Sequence, residues 1–135
     1  MIQPDILRAL LPVARALETQ NIPHYIGGSI ASSLYGIARA TLDIDIAARI
    51  ERRHIGSLKE SLQPEYYLDE NMIAEAIDRR SSFNLIHLET SIKVDVFIPS
   101  DEPYQRAAMD RKRKDTLVEG EQAAEFHVSS PEDII

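Results

Sequence analysis

The sequence predicts an α/β fold in which a mixed β-sheet is covered by helices on at least one face. Segments with apolar residues at helical spacing occur along the same chain as segments in which apolar and polar residues alternate. Two of the strand-like segments follow each other directly, late in the chain. With 135 residues and 44% hydrophobic content, the chain can form one compact core but is short for two. We therefore expect a single domain over residues 1–135.

The composition excludes several classes of protein. Asp and Glu number 22 against 15 Lys and Arg, and the resulting net charge of −7 disfavours nucleic-acid binding through diffuse charge alone. The absence of cysteine excludes disulfides, thiolate zinc sites and cysteine nucleophiles. The N-terminal segment lacks the pattern of a signal peptide, and no segment approaches the roughly 20 apolar residues of a membrane span. We expect a cytoplasmic protein that does not associate with membranes.

Apolar periodicity and turn residues predict the order of the elements. The predicted helices are residues 4–17, 29–36, 52–62, 69–80 and 102–114, and the predicted strands are 24–26, 42–48, 83–89, 92–98 and 124–130. Pro12 is expected to kink or split the first helix, because proline lacks an N–H group. Asp69 is expected to cap the fourth helix, and the strands on either side of "TS" are expected to form a hairpin. The final "SSPEDII" resembles the start of a helix, so we expect the domain to continue beyond residue 135.

Two aspartates lie within the apolar strand "LDIDIAA". Side chains alternate along a strand, so Asp43 and Asp45 lie on one face, and the apolar residues between and beside them lie on the other. Their Cα atoms are expected to be about 6.5–7 Å apart, which suits carboxylates that share one divalent ion or bracket two. Two carboxylates so close repel each other unless a cation or a basic group lies between them.

The strand "IKVDVFI" provides a third acidic residue. Its apolar positions share one face, which leaves Lys93, Asp95 and Phe97 on the other face. If this strand lies beside "LDIDIAA", Asp95 joins the first two acids. Three carboxylates on one face form an oxygen-rich site suited to Mg²⁺ or Mn²⁺. Lys93 would then either offset the acidic cluster or contact a phosphate, with a solvated lysine as the alternative.

A glycine pair precedes these acids. The strand "HYI" is followed by Gly27 and Gly28 and then by the start of a short predicted helix. Glycine has no Cβ, and the first N–H groups of a helix lack partners within the helix, so such a turn can bind phosphate closely. A phosphate-binding turn beside a carboxylate cluster is typical of phosphoryl and nucleotidyl transfer, in which positioning and charge neutralisation provide most of the catalysis.

The segments "YIGGSIA", "RATLDIDI" and "IKVDVF" together resemble the motifs of the nucleotidyltransferase superfamily. These motifs are a hydrophobic-Gly-Gly/Ser turn, an Asp-hydrophobic-Asp pair about a dozen residues later, and a third Asp on a later strand. The resemblance covers about residues 22–98. It is nearest to small prokaryotic members, including the AbiEii-like group of toxin–antitoxin systems. It implies the nucleotidyltransferase fold, a short mixed sheet with helices packed on one side.

The resemblance also implies roles for individual residues. Gly28 and Ser29 would hold the β- and γ-phosphates of a nucleoside triphosphate. Asp43 and Asp45 would bind the metal ions, and Asp95 would complete the site and help to activate an acceptor hydroxyl. The implied reaction transfers a nucleoside monophosphate, with release of pyrophosphate, to a protein, a tRNA or a small molecule. A cognate partner protein and a homo-oligomer are further expectations, and a catalytically silent nucleotide-binding or partner-binding module is the alternative function.

Two further residues match the same pattern. Arg39 would contact the triphosphate, or would form a structural salt bridge with a nearby acid. Thr41 would belong to the nucleotide site, or would be a strand residue bonded to the backbone. The basic run "RKRK" at residues 111–114 is interpreted as a group of cations at the end of a helix, where they complement the helix dipole, with attraction of a polyanionic acceptor as the alternative.

Overall fold

The computed structural model describes residues 6–27, 43–119 and 122–130. Within these ranges the chain forms four α-helices, a short 3₁₀ turn and seven strands. The helices are α1 (Ile6–Thr19), α2 (Ile55–Leu62), α3 (Glu70–Arg79) and α4 (Pro103–Asp110), with the 3₁₀ turn at Arg52–His54. The strands are β1 (His24–Ile26), β2 (Asp43–Ala48), β3 (Tyr66–Tyr67), β4 (Ser82–His87), β5 (Lys93–Phe97), β6 (Arg113–Glu119) and β7 (Gln122–Val128).

The seven strands form one mixed sheet in the order β3-β4-β5-β2-β1-β7-β6. The central strands β2 and β5 are parallel, as are β1 and β7, and the other neighbours are antiparallel. The predicted hairpin on either side of "TS" is confirmed as the antiparallel pair β4–β5. The predicted fold class is therefore confirmed, although the sheet is wider than the five predicted strands.

One face of the sheet is covered by helices and forms the core. Alternate residues of the two central strands point to this face, where Ile44, Ile46, Val94 and Val96 are almost fully buried. Apolar residues of α1, α2 and α3 belong to the same buried cluster. At about 25 cal/mol per Å² of buried apolar surface, this face provides most of the stability of the fold. The opposite face is formed by the other half of the strand residues and is called the open face below, because its described residues Asp45, Asn84 and Asp95 are only half-buried.

Local sequence signals explain where the helices begin and how they pack. The apolar residues of α1 recur at helical spacing, so Leu10 and Leu17 are buried on one side of the helix. The Asp69 side chain accepts hydrogen bonds from the backbone N–H groups of Asn71 and Met72 at the start of α3, which confirms the predicted cap. The buried Tyr66 hydroxyl donates a hydrogen bond to the Ala9 carbonyl and thereby joins β3 to α1.

Three secondary-structure predictions were wrong or incomplete. The helix α1 is continuous through Pro12 and is not split there. The helix predicted over residues 102–114 ends at Asp110, and Arg113 and Lys114 begin β6. Of the run "RKRK", Arg111 lies at the end of the helix as its C-cap residue, whereas pairing with β7 overrides the helical preference of Arg113 and Lys114. The strands β3 and β6 were not predicted, and the predicted helix at residues 29–36 lies outside the described residues.

Candidate functional site

The pairing of β2 with β5 brings two of the three predicted acids together. The register places Asp45 directly opposite Asp95, and it places Asp43 opposite Lys93. Neighbouring strands lie about 4.8 Å apart, so the two opposed aspartates share one small area of the open face. Both have half-buried side chains, whereas the isoleucines on either side of Asp45 are buried in the core. The expectation that Asp95 lies on the strand beside the pair is met by this register.

Gly27 lies on the other side of Asp45. It directly follows β1, and its backbone N–H donates a hydrogen bond to the Asp45 carbonyl oxygen at 2.6 Å. A Cβ atom at position 27 would lie 3.4 Å from the Asp45 Cβ, which shows that the glycine faces the same side of the sheet as this acid. A larger side chain here would occupy space directly beside the carboxylate. The glycine therefore keeps the open face accessible next to Asp45.

Besides Asp45, the Asp95 side chain has the Lys93 ammonium group and the Asn84 amide among its neighbours. The Lys93 Nζ atom lies 4.0 Å from the Asp95 Oδ2 atom, and the two side chains are 43% and 35% exposed. Of the roles predicted for Lys93, this proximity favours the one in which the lysine offsets the negative charge of the acids. On the far side, Asn84 of β4 is paired directly with Asp95. Gly27, Asp45, Asp95 and Asn84 thus form one row across four strands, called the acidic row below.

The donor set of the acidic row suits a hard divalent cation. Two carboxylates from neighbouring parallel strands offer oxygen ligands, which Mg²⁺ and Mn²⁺ prefer. Within residues 6–27, 43–119 and 122–130, however, no group of three His, Asp or Glu residues is arranged to hold a metal ion. Asp43 lies two residues before Asp45 on β2, the spacing at which side chains share a face. The role of Asp43 as a metal ligand therefore stays a prediction.

Four of the predicted site residues lie outside the described residues. They are Gly28, Ser29, Arg39 and Thr41. Their predicted roles in triphosphate binding stay predictions.

Asn84 is a site residue that the sequence alone did not identify. It occupies an outward position of β4 between two buried residues, Phe83 and Leu85. The alternation in "FNLIH" gives this orientation, but only the register of the hairpin places the amide opposite Asp95.

The histidines take no part in the acidic row. His24 is buried, with its ring in edge-to-face contact with the ring of His127, and burial lowers the pKa of both imidazoles. His87 is fully buried, and its ring nitrogens contact Thr90 and the Glu65 carboxylate. These contacts show that His24, His87 and His127 have structural partners away from the acidic row.

Comparison with known proteins identifies the fold. No family model matches the sequence, and no curated protein matches it. Two solved structures align with 98% of this chain: a CCA-adding enzyme in complex with ATP, with a TM-score of 0.53 and 18% identity, and an antigenic nucleotidyltransferase-like protein from Paracoccidioides brasiliensis, with a TM-score of 0.54 and 20% identity. The chain spans 29% of the first protein and 64% of the second. This likeness shows the nucleotidyltransferase fold.

In the described part of the chain, none of the helices combines the length and the apolar content needed to cross a bilayer.

Proposed function

We propose that this protein is a metal-dependent nucleotidyltransferase that transfers a nucleoside monophosphate from a nucleoside triphosphate to a hydroxyl group, with release of pyrophosphate. The observation that carries the proposal is the acidic row, in which Gly27 and two opposed aspartates lie side by side on the open face. The fold shared with a CCA-adding enzyme in complex with ATP supports the same function.

Each part of the row would have a distinct task. The turn at Gly27 and Gly28 would bind the β- and γ-phosphates, because glycine allows the backbone N–H groups to approach them. Asp43, Asp45 and Asp95 would hold Mg²⁺, which supplies charge neutralisation at the triphosphate. The acceptor oxygen attacks the α-phosphorus, the bond from that phosphorus to the oxygen bridging to the β-phosphorus breaks, and pyrophosphate leaves with the bonding electron pair. The hydroxyl proton passes to the Asp95 carboxylate.

Transfer of label from a nucleotide tests this proposal. The chain is incubated with Mg²⁺, each α-labelled nucleoside triphosphate in turn and cell extract, and both labelled acceptors and released pyrophosphate are measured. We expect transfer with at least one nucleotide. Binding of nucleotide without transfer to any acceptor would overturn the enzyme and favour the silent binding module.

Substitution of the acids tests the metal assignment separately. Asp43→Asn, Asp45→Asn and Asp95→Asn are each expected to lower the transfer rate by roughly 10²–10³-fold, because each removes a charge on which triphosphate binding and catalysis depend. Unfolding temperatures should be equal to that of the wild type or higher, since like-charge repulsion is relieved. Glu60→Gln, an exposed acid on α2, is the matched control and should retain full activity. Full transfer in the Asp45 and Asp95 variants would exclude these residues as metal ligands.

Cytoplasmic localisation, a toxin–antitoxin partner and a homo-oligomer remain predictions from the sequence.

A further inference from the structure

We infer that the acceptor is a protein hydroxyl group in an apolar segment of polypeptide, which docks on the open face over β4 and β3. This inference rests on the proposed function and specifies the acceptor class of the same site. Three features support it: the order of Gly27, Asp45, Asp95 and Asn84 along the acidic row, the exposed apolar side chains near the Asn84 end of that row, and the small number of cations around them.

The direction of the acidic row fixes the side from which an acceptor approaches. In phosphoryl transfer the attacking and leaving oxygens lie roughly in line on opposite sides of the phosphorus. The pyrophosphate would leave over the Gly27 end of the row, where Gly27 lies beside Asp45. The acceptor must therefore arrive from the opposite end, over Asp95 and Asn84. Beyond Asn84 the sheet continues only to β3, the last strand in the described order.

An exposed apolar patch lies at that end of the open face. Tyr67 of β3 is paired with Ile86 of β4, which in turn is paired with Lys93. Leu88 follows β4 and continues the same alternation, with its N–H group bonded to the Glu65 carbonyl oxygen at 3.0 Å. Tyr67, Ile86 and Leu88 form the β3–β4 patch.

Two side chains of this patch are more than half exposed. Tyr67 is 51% exposed and Leu88 is 58% exposed. Among the described residues five large hydrophobic side chains are exposed, and three of them, Tyr67, Leu88 and Phe97, occupy outward positions on β3, β4 and β5 or directly after them. A concentration of exposed apolar side chains beside a reactive site is typical of a surface that binds a partner.

The charge of this surface disfavours a nucleic acid. Lys93 is the one cation at the outward positions of β3, β4 and β5, and its Nζ atom is directed to Asp95 at 4.0 Å. Two acids, Asp45 and Asp95, lie on the same face, directly opposite each other on β2 and β5. A phosphodiester backbone requires several Lys or Arg contacts, and each acid nearby weakens its binding. A polypeptide segment with apolar side chains around a Ser, Thr or Tyr requires none, and its apolar residues can bury the β3–β4 patch.

The Ser, Thr or Tyr oxygen forms a bond to the α-phosphorus, and pyrophosphate leaves with the electron pair of the broken P–O bond. The acceptor proton passes to the Asp95 carboxylate and then to solvent. The product is a phosphodiester that links the protein side chain to the nucleoside monophosphate.

Competing acceptors provide the test. The full chain receives Mg²⁺, an α-labelled nucleoside triphosphate, and one of three acceptors: synthetic peptides with one Ser, Thr or Tyr flanked by Leu, Ile and Val; the same peptides flanked by Asp and Glu; or total tRNA. We expect label on the apolar peptides, at least about tenfold less on the acidic peptides, and none on tRNA. Transfer to tRNA but not to the apolar peptides would overturn the inference.

Variants of the patch complete the test. The double variant Tyr67→Ser/Leu88→Ser should lower kcat/KM for the apolar peptide by about tenfold or more while nucleotide binding is unchanged. Met72→Ser/Tyr104→Ser removes two exposed hydrophobic side chains from α3 and α4 and is the matched control, which should behave as the wild type. Equal behaviour of the two double variants would overturn the inference. So would a dimer, seen by sedimentation, that only the patch variant dissociates, because the patch would then bind a second copy.

These outcomes are separate from those for the proposed function. If nucleotide binding depends on Asp45 but neither peptide nor tRNA receives label, the protein-acceptor inference is wrong and the nucleotide site stands. If no nucleotide binds, the proposed function fails, and the inference that rests on it fails too.

Discussion

The two faces of the central strands have opposite properties although they are made from the same two segments of sequence. In β2 and β5 every second residue enters the core, and Val94 and Ile44 have no exposed surface. The residues that directly follow them, Asp45 and Asp95, are half-buried and polar and lie opposite each other. Successive side chains along a strand never share a face. One residue of a strand can therefore stabilise the core while the next residue belongs to the candidate site. Substitutions on the two faces should have different effects, and four predictions test this difference.

The largest effect is expected from a truncation on the covered face. Ile46→Ala removes buried methyl and methylene groups from a side chain that is 1% exposed, and it should lower the free energy of unfolding by about 3 kcal/mol. Urea unfolding followed by circular dichroism measures this change. Phe97→Ala, at an outward position on the next strand, is the matched control and should cost less than about 1 kcal/mol. Equal costs would show that the open face also stabilises the fold.

A substitution at the glycine of the acidic row should act on ligand binding without affecting stability. Gly27→Val places branched methyl groups beside the Asp45 Cβ, where even a first carbon would lie at 3.4 Å. We expect nucleotide affinity to fall about tenfold, or about 1.4 kcal/mol, with little change in unfolding temperature. Gly27→Ala is the smaller control and should bind nearly as well as the wild type. Unchanged affinity in the valine variant, measured by calorimetry, would remove Gly27 from the nucleotide site.

A hydrogen bond on the covered face should contribute less than apolar packing. Tyr66→Phe removes the hydroxyl that donates to the Ala9 carbonyl, and it keeps the ring. The expected loss is about 1 kcal/mol of unfolding free energy, with nucleotide transfer unchanged. Burial raises the pKa of this hydroxyl, so the bond persists through alkaline pH. A loss of transfer activity in a stable Tyr66→Phe protein would contradict the separation of the two faces.

The smallest effect concerns pH. Burial holds the pKa of His24 below its usual 6.5, so the unfolded chain binds more protons at this site as the pH falls through 6.5. The free energy of unfolding that depends on neutral His24 is therefore fully present above about pH 6.5. It decreases as the pH falls toward the lower pKa of His24 in the folded state. Urea midpoints measured from pH 8 to pH 5 should decline less in His24→Asn than in the wild type. An identical decline in both proteins would show that His24 does not cause it.

The residue pattern alone determined the orientation of Asp45 and several of the elements. Alternation predicted that Asp43 and Asp45 lie on one side of a strand and the isoleucines on the other, and the burial of Ile44 and Ile46 beside the half-buried Asp45 confirms this for Asp45. Spacing likewise predicted α3, its cap at Asp69 and the β4–β5 hairpin. These features depend on local geometry, which a short stretch of sequence contains in full.

The tertiary structure decided the features that depend on partners distant in sequence. The register of β2 against β5 sets Asp45 opposite Asp95, and the hairpin register adds Asn84 to the row. The strand β6 was missed for a different reason: its pairing with β7 outweighs the helical preference of its first residues, although β7 begins only three residues after β6 ends. Nothing within a segment specifies which residue of another strand will lie opposite. That choice depends on the packing of the whole sheet against its helices.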